Sequence, residues 1–147
     1  MKLINFIKKE GILFLNSDDK FEVLNQMITC AQKDPLVTDF ERYKKEVIDR
    51  EKIIPTAVGK GIAIPHAKTD AVKDFFIIIG VDKKGIDWNA LDGEPVKVIF
   101  LVSGPEEHHK YLQIISKLIL CVKNKKRLDK IINADSPDDI YEVLKEI

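Results

Sequence analysis

The residues best suited to chemistry in this chain lie in one short segment, Gly59-Lys60-Gly61-Ile62-Ala63-Ile64-Pro65-His66-Ala67-Lys68. Its two glycines permit a positive φ or a close backbone approach, and Pro65 stiffens the chain directly before the imidazole of His66. An imidazole at a rigid strand end can act as a base, a metal ligand or a phosphoryl acceptor. A histidine that only forms a hydrogen bond at a turn would give the same pattern, so the spacing alone leaves these readings open.

The remaining candidates for catalysis or metal binding are few. The chain has two other histidines, His108 and His109, and two cysteines, Cys30 and Cys121. Neighbouring helical positions diverge by about 100°, so His108 and His109 cannot easily chelate one ion, and neither cysteine has zinc-type spacing. No nucleophile-elbow motif of a Ser-His-Asp hydrolase is present. We therefore predict neither a metal site nor a cofactor.

The composition is that of an ordinary folded domain. The 147 residues, 45% of them hydrophobic, suffice for one core, so we predict a single compact domain over residues 1–147. The 24 basic residues are matched by 24 acidic ones, which argues against the positive field that nucleic-acid binding needs. The longest apolar stretch, residues 75–81, is too short to span a bilayer, and residues 1–10 lack a signal-peptide pattern. We expect a reduced, cytoplasmic location without membrane insertion.

The first half of the chain predicts a strand, two helices and a ribbon. Residues 12–15 predict a short strand, and Ser17, Asp18 and Asp19 supply an N-cap and first-turn acids for a helix ending before Pro35. Thr38, with a glutamate three residues later, predicts a second helix that runs to about residue 50. The prolines and glycines spaced along residues 53–65 exclude a helix there and predict two short strands or a ribbon.

The second half predicts two long strands and further helices. Residues 75–81 and 96–102 are the strongest strand candidates, and the first is apolar throughout, as in a strand covered on both faces. Ser103 and Glu106 predict the start of a helix that carries two adjacent apolar stripes, one with Leu112, Ile115 and Ile119. The basic run 123–127 ends it, and residues 136–139 start a last helix. These elements predict an α/β domain of α+β character, a mixed sheet of about five strands flanked by helices.

The run from Arg50 to His66, Arg-Glu-Lys-Ile-Ile-Pro-Thr-Ala-Val-Gly-Lys-Gly-Ile-Ala-Ile-Pro-His, resembles a known active-site region. It is similar to that of enzyme IIA (EIIA) domains of the fructose/mannitol type, from the bacterial phosphoenolpyruvate-dependent sugar phosphotransferase system (PTS). The resemblance continues through residues 85–88, 91–93, 98–102 and 112–118, and covers essentially the whole chain. The Arg-Glu pair, Pro-Thr and Gly-x-Ala-x-Pro-His are specific in that order, whereas each alone is weak.

The resemblance implies a phosphoryl carrier that works without a cofactor. His66 would accept a phosphoryl group on Nε2 from the phosphohistidine of the carrier protein HPr, then pass it to a cysteine of the transporter's IIB (EIIB) domain during sugar uptake. Arg50 matches the family's arginine near the phosphoryl group, although the helix macrodipole would also favour an arginine there. Thr56 could donate its hydroxyl to the site or simply be a β-branched strand residue, which we rank first.

One position departs from the family pattern. Members usually carry a second histidine in a His-(Leu/Ile)-x-x-Leu context, and the matching residue here is Tyr111. Its hydroxyl can donate a hydrogen bond to a phosphoryl oxygen or an imidazole, but it cannot share a proton at neutral pH. We expect Tyr111 to fill the supporting role. His108, three residues earlier on nearly the same face, could reach the site, whereas we expect His109 to be solvated.

Because a tyrosine stands where the family usually has its second histidine, a second function is also possible. In this alternative the chain is a regulatory protein that binds partners according to its phosphorylation state, as the nitrogen-related enzyme IIA does. The sequence does not identify the sugar, because specificity would reside in the transporter's membrane domain.

We expect an apolar rim around His66 to serve short-lived complexes with HPr and EIIB. The basic cluster at residues 123–130 is read as an ordinary solvated helix end.

Overall fold

The chain arranges strands and helices around one mixed sheet, and the computed structural model describes all residues 1–147. After a 3₁₀ turn at Leu3–Phe6, the elements are β1 (Ile7–Phe14), α1 (Lys20–Ala31), α2 (Phe40–Ile53), β2 (Ala57–Gly59), β3 (Ile62–Ala63), β4 (His66–Lys68), β5 (Phe76–Ile86), β6 (Val96–Gly104), α3 (His108–Lys123), α4 (Lys125–Ile132) and α5 (Pro137–Leu144). The sheet has six strands where the sequence predicts about five. The additional strand is β4, which at three residues is too short to show a period.

The topology brings β4 to the end of the central strand β6. The strand order is β1-β5-β6-β3-β2, and β4 also pairs with β6. Both β3 and β4 run parallel to β6: Ile62 pairs with Val98 near its start, and His66 pairs with Val102 near its end. The β2–β3 ribbon predicted from the Pro and Gly pattern forms as an antiparallel pair. Its tight turn places Gly59 at φ 89° and Gly61 at φ 81°, a region that glycine enters without steric cost.

Helices cover both faces of the sheet, as predicted. One core cluster joins the sheet to α3, α4 and α5 and contains Phe100, Leu118 and Ile140. The other joins it to α1 and α2 and contains Tyr43 and Trp88, both fully buried. Because β5 and β6 lie between these two layers, their central residues are apolar on both sides. The layers together form one compact domain.

The start of α5 agrees with its predicted cap, whereas α1 starts two residues later than predicted, because Asp19 and not Ser17 is its cap. Asp19 caps α1 and Ser136 caps α5, both by accepting backbone N–H groups of the first turn. The prediction that Thr38 caps α2 is wrong, because its hydroxyl donates to the carbonyl of Ala71 at 2.9 Å. Asp39 takes the cap position, and α2 continues three residues beyond its expected end.

Ser103 is also not a helix cap. It lies inside β6, is fully buried, and its hydroxyl is 2.6 Å from the phenol oxygen of Tyr43, sixty residues away in sequence. α3 therefore begins at His108, four residues later than a cap at Ser103 predicts, with Glu107 in the cap position. Strand β1 begins at Ile7 rather than residue 12, with a bulge between Ile7 and Ile12 that the local pattern does not show.

Of the two apolar stripes of α3, only one faces the core. The buried residues are Ile114, Leu118, Cys121 and Val122. Leu112 is 47% exposed, and Ile115 and Ile119 are partly exposed. No helix combines the length and apolar character that crossing a bilayer requires.

Candidate functional site

His66 is partly buried at the start of β4, and its ring is held in one tautomer. Its Nδ1 lies 3.0 Å from the carbonyl oxygen of Ile64. A carbonyl oxygen only accepts hydrogen bonds, so Nδ1 carries the proton and Nε2 keeps a lone pair. The segment itself is fixed, because Ile64 N–H donates to the carbonyl of Thr56 and Val102 N–H donates to that of Pro65, both at 3.0 Å. The ring thus presents a free Nε2 from a rigid backbone.

The surroundings of His66 favour its neutral form. Burial lowers the pKa of the imidazole, and the positive charges of Arg50 and Lys68 lower it further. The hydrogen bond to Ile64 and the carboxylate of Glu51 act in the opposite direction, but the pKa stays below the usual histidine value of 6.5. At neutral pH the ring is therefore uncharged and nucleophilic.

Arg50 lies beside His66 in the last turn of α2. Its Nη1 donates to the carbonyl of Ile54 at 2.9 Å, and the guanidinium forms no ion pair. Arg50, His66 and Tyr111 line one shallow depression of about 220 Å³. Its other walls come from the β2 segment, the link between β3 and β4, and α3: Pro55, Thr56, Ala57, Val58, Ile64, Ile115 and Ile119. The depression therefore combines a free imidazole nitrogen with a cation whose charge is not neutralised. Such a pair suits an anionic group of phosphoryl size.

Thr56 is committed to a buried carboxylate rather than to the depression. Its hydroxyl donates to Glu51 Oε1 at 2.6 Å, and its backbone N–H donates to Oε2 at 2.9 Å. The indole N–H of Trp88 donates to the same Oε1, also at 2.6 Å. Glu51 is 2% exposed, and the ammonium of Lys20 lies 3.9 Å from it. This network ties the end of α2, next to Arg50, to the start of the β2–β3 ribbon.

The sequence analysis did not single out Glu51 as a site residue, although it used the Arg-Glu pair as a marker of the family. The available signal was an acidic residue next to Arg50 and just before Pro55-Thr56. Nothing local indicated that Trp88, 37 positions later, would donate to it. Glu51 does not touch the depression, and it acts on the geometry of the residues that do.

Tyr111 lies against His66, with ring centroids 5.3 Å apart. Its hydroxyl has no hydrogen-bond partner in the protein, and burial raises the pKa of this phenol, so it stays protonated at neutral pH. The rings of His108 and Tyr111 stack with centroids 6.2 Å apart, and no hydrogen bond joins His108 to His66. The Nδ1 of His108 instead lies 3.0 Å from the ammonium of Lys68, a residue that the sequence analysis did not select.

His109 is exposed on the first turn of α3 and contacts none of these residues. No group of three or more His, Cys, Asp and Glu side chains is arranged to hold a metal ion. The polar side chains that line the depression are those of Arg50, Thr56, His66 and Tyr111, and Lys68 and His108 lie next to Tyr111.

Exposed apolar side chains surround the depression, and we call this set the apolar rim: Ile53, Ile54, Val58 and Leu112, with exposed fractions of 73%, 62%, 54% and 47%. Val58 lines the depression, Ile53 and Ile54 directly precede the wall that begins at Pro55, and Leu112 follows Tyr111 on α3. Single exposed apolar residues are common, but four around one depression are typical of a surface that another protein covers.

Comparison with known proteins assigns this chain to a family. Residues 5–147 match the family described as phosphoenolpyruvate-dependent sugar phosphotransferase system, EIIA 2, and the chain belongs to that family. The family predicted from the sequence is thereby confirmed.

The curated relatives agree. The chain is 33% identical over 138 residues to a mannitol-specific phosphotransferase enzyme IIA component of Staphylococcus aureus, covering 91% of this chain and 90% of that protein. It is 35% identical over 115 residues to the fructose-specific EIIA component of Haloferax volcanii, covering 76% and 73%. It is also 31% identical over 148 residues to the fructose-specific EIIABC component of Bacillus subtilis, which covers 99% of this chain but only 23% of that protein.

Solved structures share the fold. The nitrogen regulatory protein IIA-Ntr from Neisseria meningitidis superposes with a TM-score of 0.87 at 21% identity, covering 95% of this chain and 97% of that one. The mannitol enzyme IIA in a complex with phosphorylated enzyme IIB from Escherichia coli superposes with a TM-score of 0.84 at 20% identity, covering 96% and 99%. At these identities the likeness confirms the predicted fold class and carries no residue roles.

Proposed function

We propose that this chain is a phosphoryl carrier that accepts a phosphoryl group on His66 from phospho-HPr and passes it to a cysteine of an EIIB domain during sugar uptake. The observation that carries the proposal is the tautomer of His66, whose Nε2 is free and lies beside the unpaired guanidinium of Arg50. Membership in the EIIA family supports it independently.

In the proposed transfer, the lone pair of His66 Nε2 attacks the phosphorus of the donor's phosphohistidine. The new N–P bond forms as the donor's N–P bond breaks, and the leaving nitrogen takes that electron pair. Each ring keeps its own N–H proton, and the proton of His66 stays on Nδ1, hydrogen-bonded to Ile64. No proton has to move, so the site contributes position and charge stabilisation rather than acid–base catalysis.

The surrounding residues have separate roles in this proposal. The planar fork of Arg50 donates to the phosphoryl oxygens, and the unpartnered hydroxyl of Tyr111 donates to one of them. Thr56 acts through Glu51, by fixing the loop that carries the depression, and not through its own hydroxyl. His108 belongs to the edge of the site, where it contacts Lys68.

The proposed partners are HPr and EIIB, in turn, at the apolar rim. A small rim of four aliphatic side chains supports complexes that form and dissociate quickly, as a carrier with two partners needs. One relative is an EIIABC component, and one structural neighbour is an enzyme IIA in a complex with phosphorylated enzyme IIB, which supports EIIB as the acceptor here. Since HPr and EIIB are cytoplasmic in the scheme, we propose the same location for this chain.

The test is phosphorylation in a reconstituted chain of phosphoenolpyruvate, enzyme I and HPr, followed by intact-mass measurement. We expect one added phosphoryl group on the wild type, none on His66→Gln, and full labelling of the matched control His109→Gln. A wild type that gains no mass, or a His66→Gln protein that gains it as the wild type does, would defeat the proposal.

A second candidate function, a phosphorylation-state sensor, is favoured by one observation: Tyr111 replaces the family's usual second histidine beside His66. Onward transfer separates the two candidates. Mixing the phosphorylated chain with a cognate EIIB domain should move the phosphoryl group to the EIIB cysteine if the chain is a transport carrier. A sensor would keep its phosphoryl group and bind a partner in only one phosphorylation state.

A further inference from the structure

Lys68 stands two residues after His66 on β4, so both side chains leave the same face of the strand. The residue between them, Ala67, is buried on the opposite side. Lys68 is partly buried and forms no ion pair. With Arg50 on α2, it is the second cation near His66 whose charge no carboxylate neutralises.

Two residues of α3 hold the ammonium of Lys68 in place. Its Nζ lies 3.0 Å from Nδ1 of His108 and 4.7 Å from the ring centroid of Tyr111. An ammonium only donates, so the Nδ1 lone pair of His108 accepts this hydrogen bond. An aromatic face and a ring-nitrogen lone pair both orient a cation without cancelling its charge. A carboxylate partner would have removed the charge that an anion could use.

We propose that Lys68 is a second phosphoryl-binding cation, which donates to an oxygen of the group on His66 while Tyr111 and His108 hold the ammonium toward it. This inference rests on the proposed function. In the transfer, Lys68 forms and breaks no covalent bond and gives up no proton; it offsets charge on the phosphoryl oxygens as the N–P bond passes from donor to His66. It thereby supplies, beside Tyr111, a positive group that the tyrosine itself cannot provide.

The test is single-turnover transfer from phospho-HPr to the full chain, with Lys68→Met, Lys68→Arg and the control Lys73→Met. Lys73 is exposed, and its loss changes the net charge equally. Removing one buried donor of this kind lowers rates by ~100-fold, and since Lys68 is partly solvated we expect about a tenfold loss for Lys68→Met. Lys68→Arg should retain about a third or more of the rate, because it keeps the cation.

The transfer equilibrium gives a readout that a merely structural role would not move. Without the cation, the phosphorylated form loses stability, so the equilibrium between HPr and Lys68→Met should shift about tenfold toward phospho-HPr. The HPr concentration for half-maximal rate should not change. His108→Ala, which releases the ammonium without removing it, should lower the rate by about threefold.

The outcomes are separable. If the wild type is labelled and Lys68→Met matches it in rate and equilibrium, the Lys68 assignment is wrong and the proposed function stands. A rate loss that arginine does not restore also overturns the assignment. A wild type that phospho-HPr does not label overturns both proposals.

Discussion

Replacing Glu51 by glutamine tests whether its buried carboxylate stabilises the junction between the end of α2 and the start of β2. The carboxylate is 2% exposed and accepts three hydrogen bonds, two at Oε1 and one at Oε2. Glutamine has nearly the same shape but only one acceptor oxygen. If that oxygen takes the place of Oε1, its NH₂ group faces the backbone N–H of Thr56, and two donors then meet in a buried space.

The expected loss follows from these contacts. A hydrogen bond to a charged acceptor contributes about 1.5–3 kcal/mol, and a buried donor left unpaired costs about as much again. The ammonium of Lys20, which is 9% exposed, also loses the only carboxylate within 4.0 Å of it. Breaking a buried pair costs ~3–5 kcal/mol, and glutamine keeps two of the three bonds in weaker form, so we expect Glu51→Gln to lower the free energy of unfolding by about 3 kcal/mol.

The assay is urea unfolding followed by far-UV circular dichroism and by fluorescence of Trp88, the single tryptophan of the chain. Circular dichroism is needed because the substitution alters the surroundings of Trp88 directly. Glu146→Gln, the same chemical change at an exposed position, should stay within about 0.5 kcal/mol of the wild type. In a Lys20→Met background, Glu51→Gln should cost ~1 kcal/mol less, because no ammonium is left unpaired.

Two results would refute this reasoning. A Glu51→Gln protein within about 1 kcal/mol of the wild type would show that the carboxylate's charge does not hold the α2–β2 junction. An equal cost with and without Lys20 would show that the 3.9 Å pair contributes nothing.

Three further predictions concern the residues of the depression. In rapid-quench measurements, Arg50→Lys should lower the rate of labelling by phospho-HPr about tenfold, because an ammonium cannot replace the guanidinium fork. Arg50→Gln should lower it about a hundredfold, because an amide carries no charge. Equal rates for the wild type and both variants would show that Arg50 does not act in the site. Tyr111→Phe should lower the same rate about threefold, because it removes the hydrogen bond proposed to a phosphoryl oxygen. The urea midpoint should not change, because the hydroxyl has no partner within the protein. A rate equal to that of the wild type would show that the hydroxyl is not needed. Because the pKa of His66 is lowered in the folded protein, the unfolded chain takes up a proton at a higher pH than the folded chain does. The stability that this residue contributes is therefore fully present above pH 6.5, and it is lost as the pH falls below that value. Between pH ~7 and ~5, His66→Gln should therefore lose less unfolding free energy than the wild type, and equal losses would contradict the lowered pKa.

The elements that local pattern specifies agree well with the structure. The ribbon at residues 57–63 follows from its proline and glycine spacing, because these residues restrict or extend backbone freedom wherever the chain folds. The two central strands follow from uninterrupted apolar runs, since only a strand covered on both faces tolerates them. Ser136 caps α5 as expected, because it bonds to backbone a few positions away, and α1 begins within two residues of its predicted start, with Asp19 rather than Ser17 as the cap.

The wrong cap predictions at Thr38 and Ser103 share one physical cause, a side chain that takes a distant partner in place of a local one. Thr38 bonds to Ala71 and Ser103 to Tyr43, so neither caps the helix that follows it. For the same reason, periodicity could show that α3 has two apolar stripes but could not say that Ile114 and Leu118 would face the core. That choice depends on which side of the helix meets the sheet.

By itself, the sequence determined the histidine with its stiff, glycine-flanked approach, the order of the main elements and the family to which the chain belongs. Only the tertiary structure decided that Nε2 of His66 is free, that Thr56 serves Glu51, and that Lys68 is held between His108 and Tyr111. Backbone preferences act over a few residues and can be read in order along the chain. The partners of buried and charged side chains are chosen by packing between segments about 40 positions apart, and no local period records them.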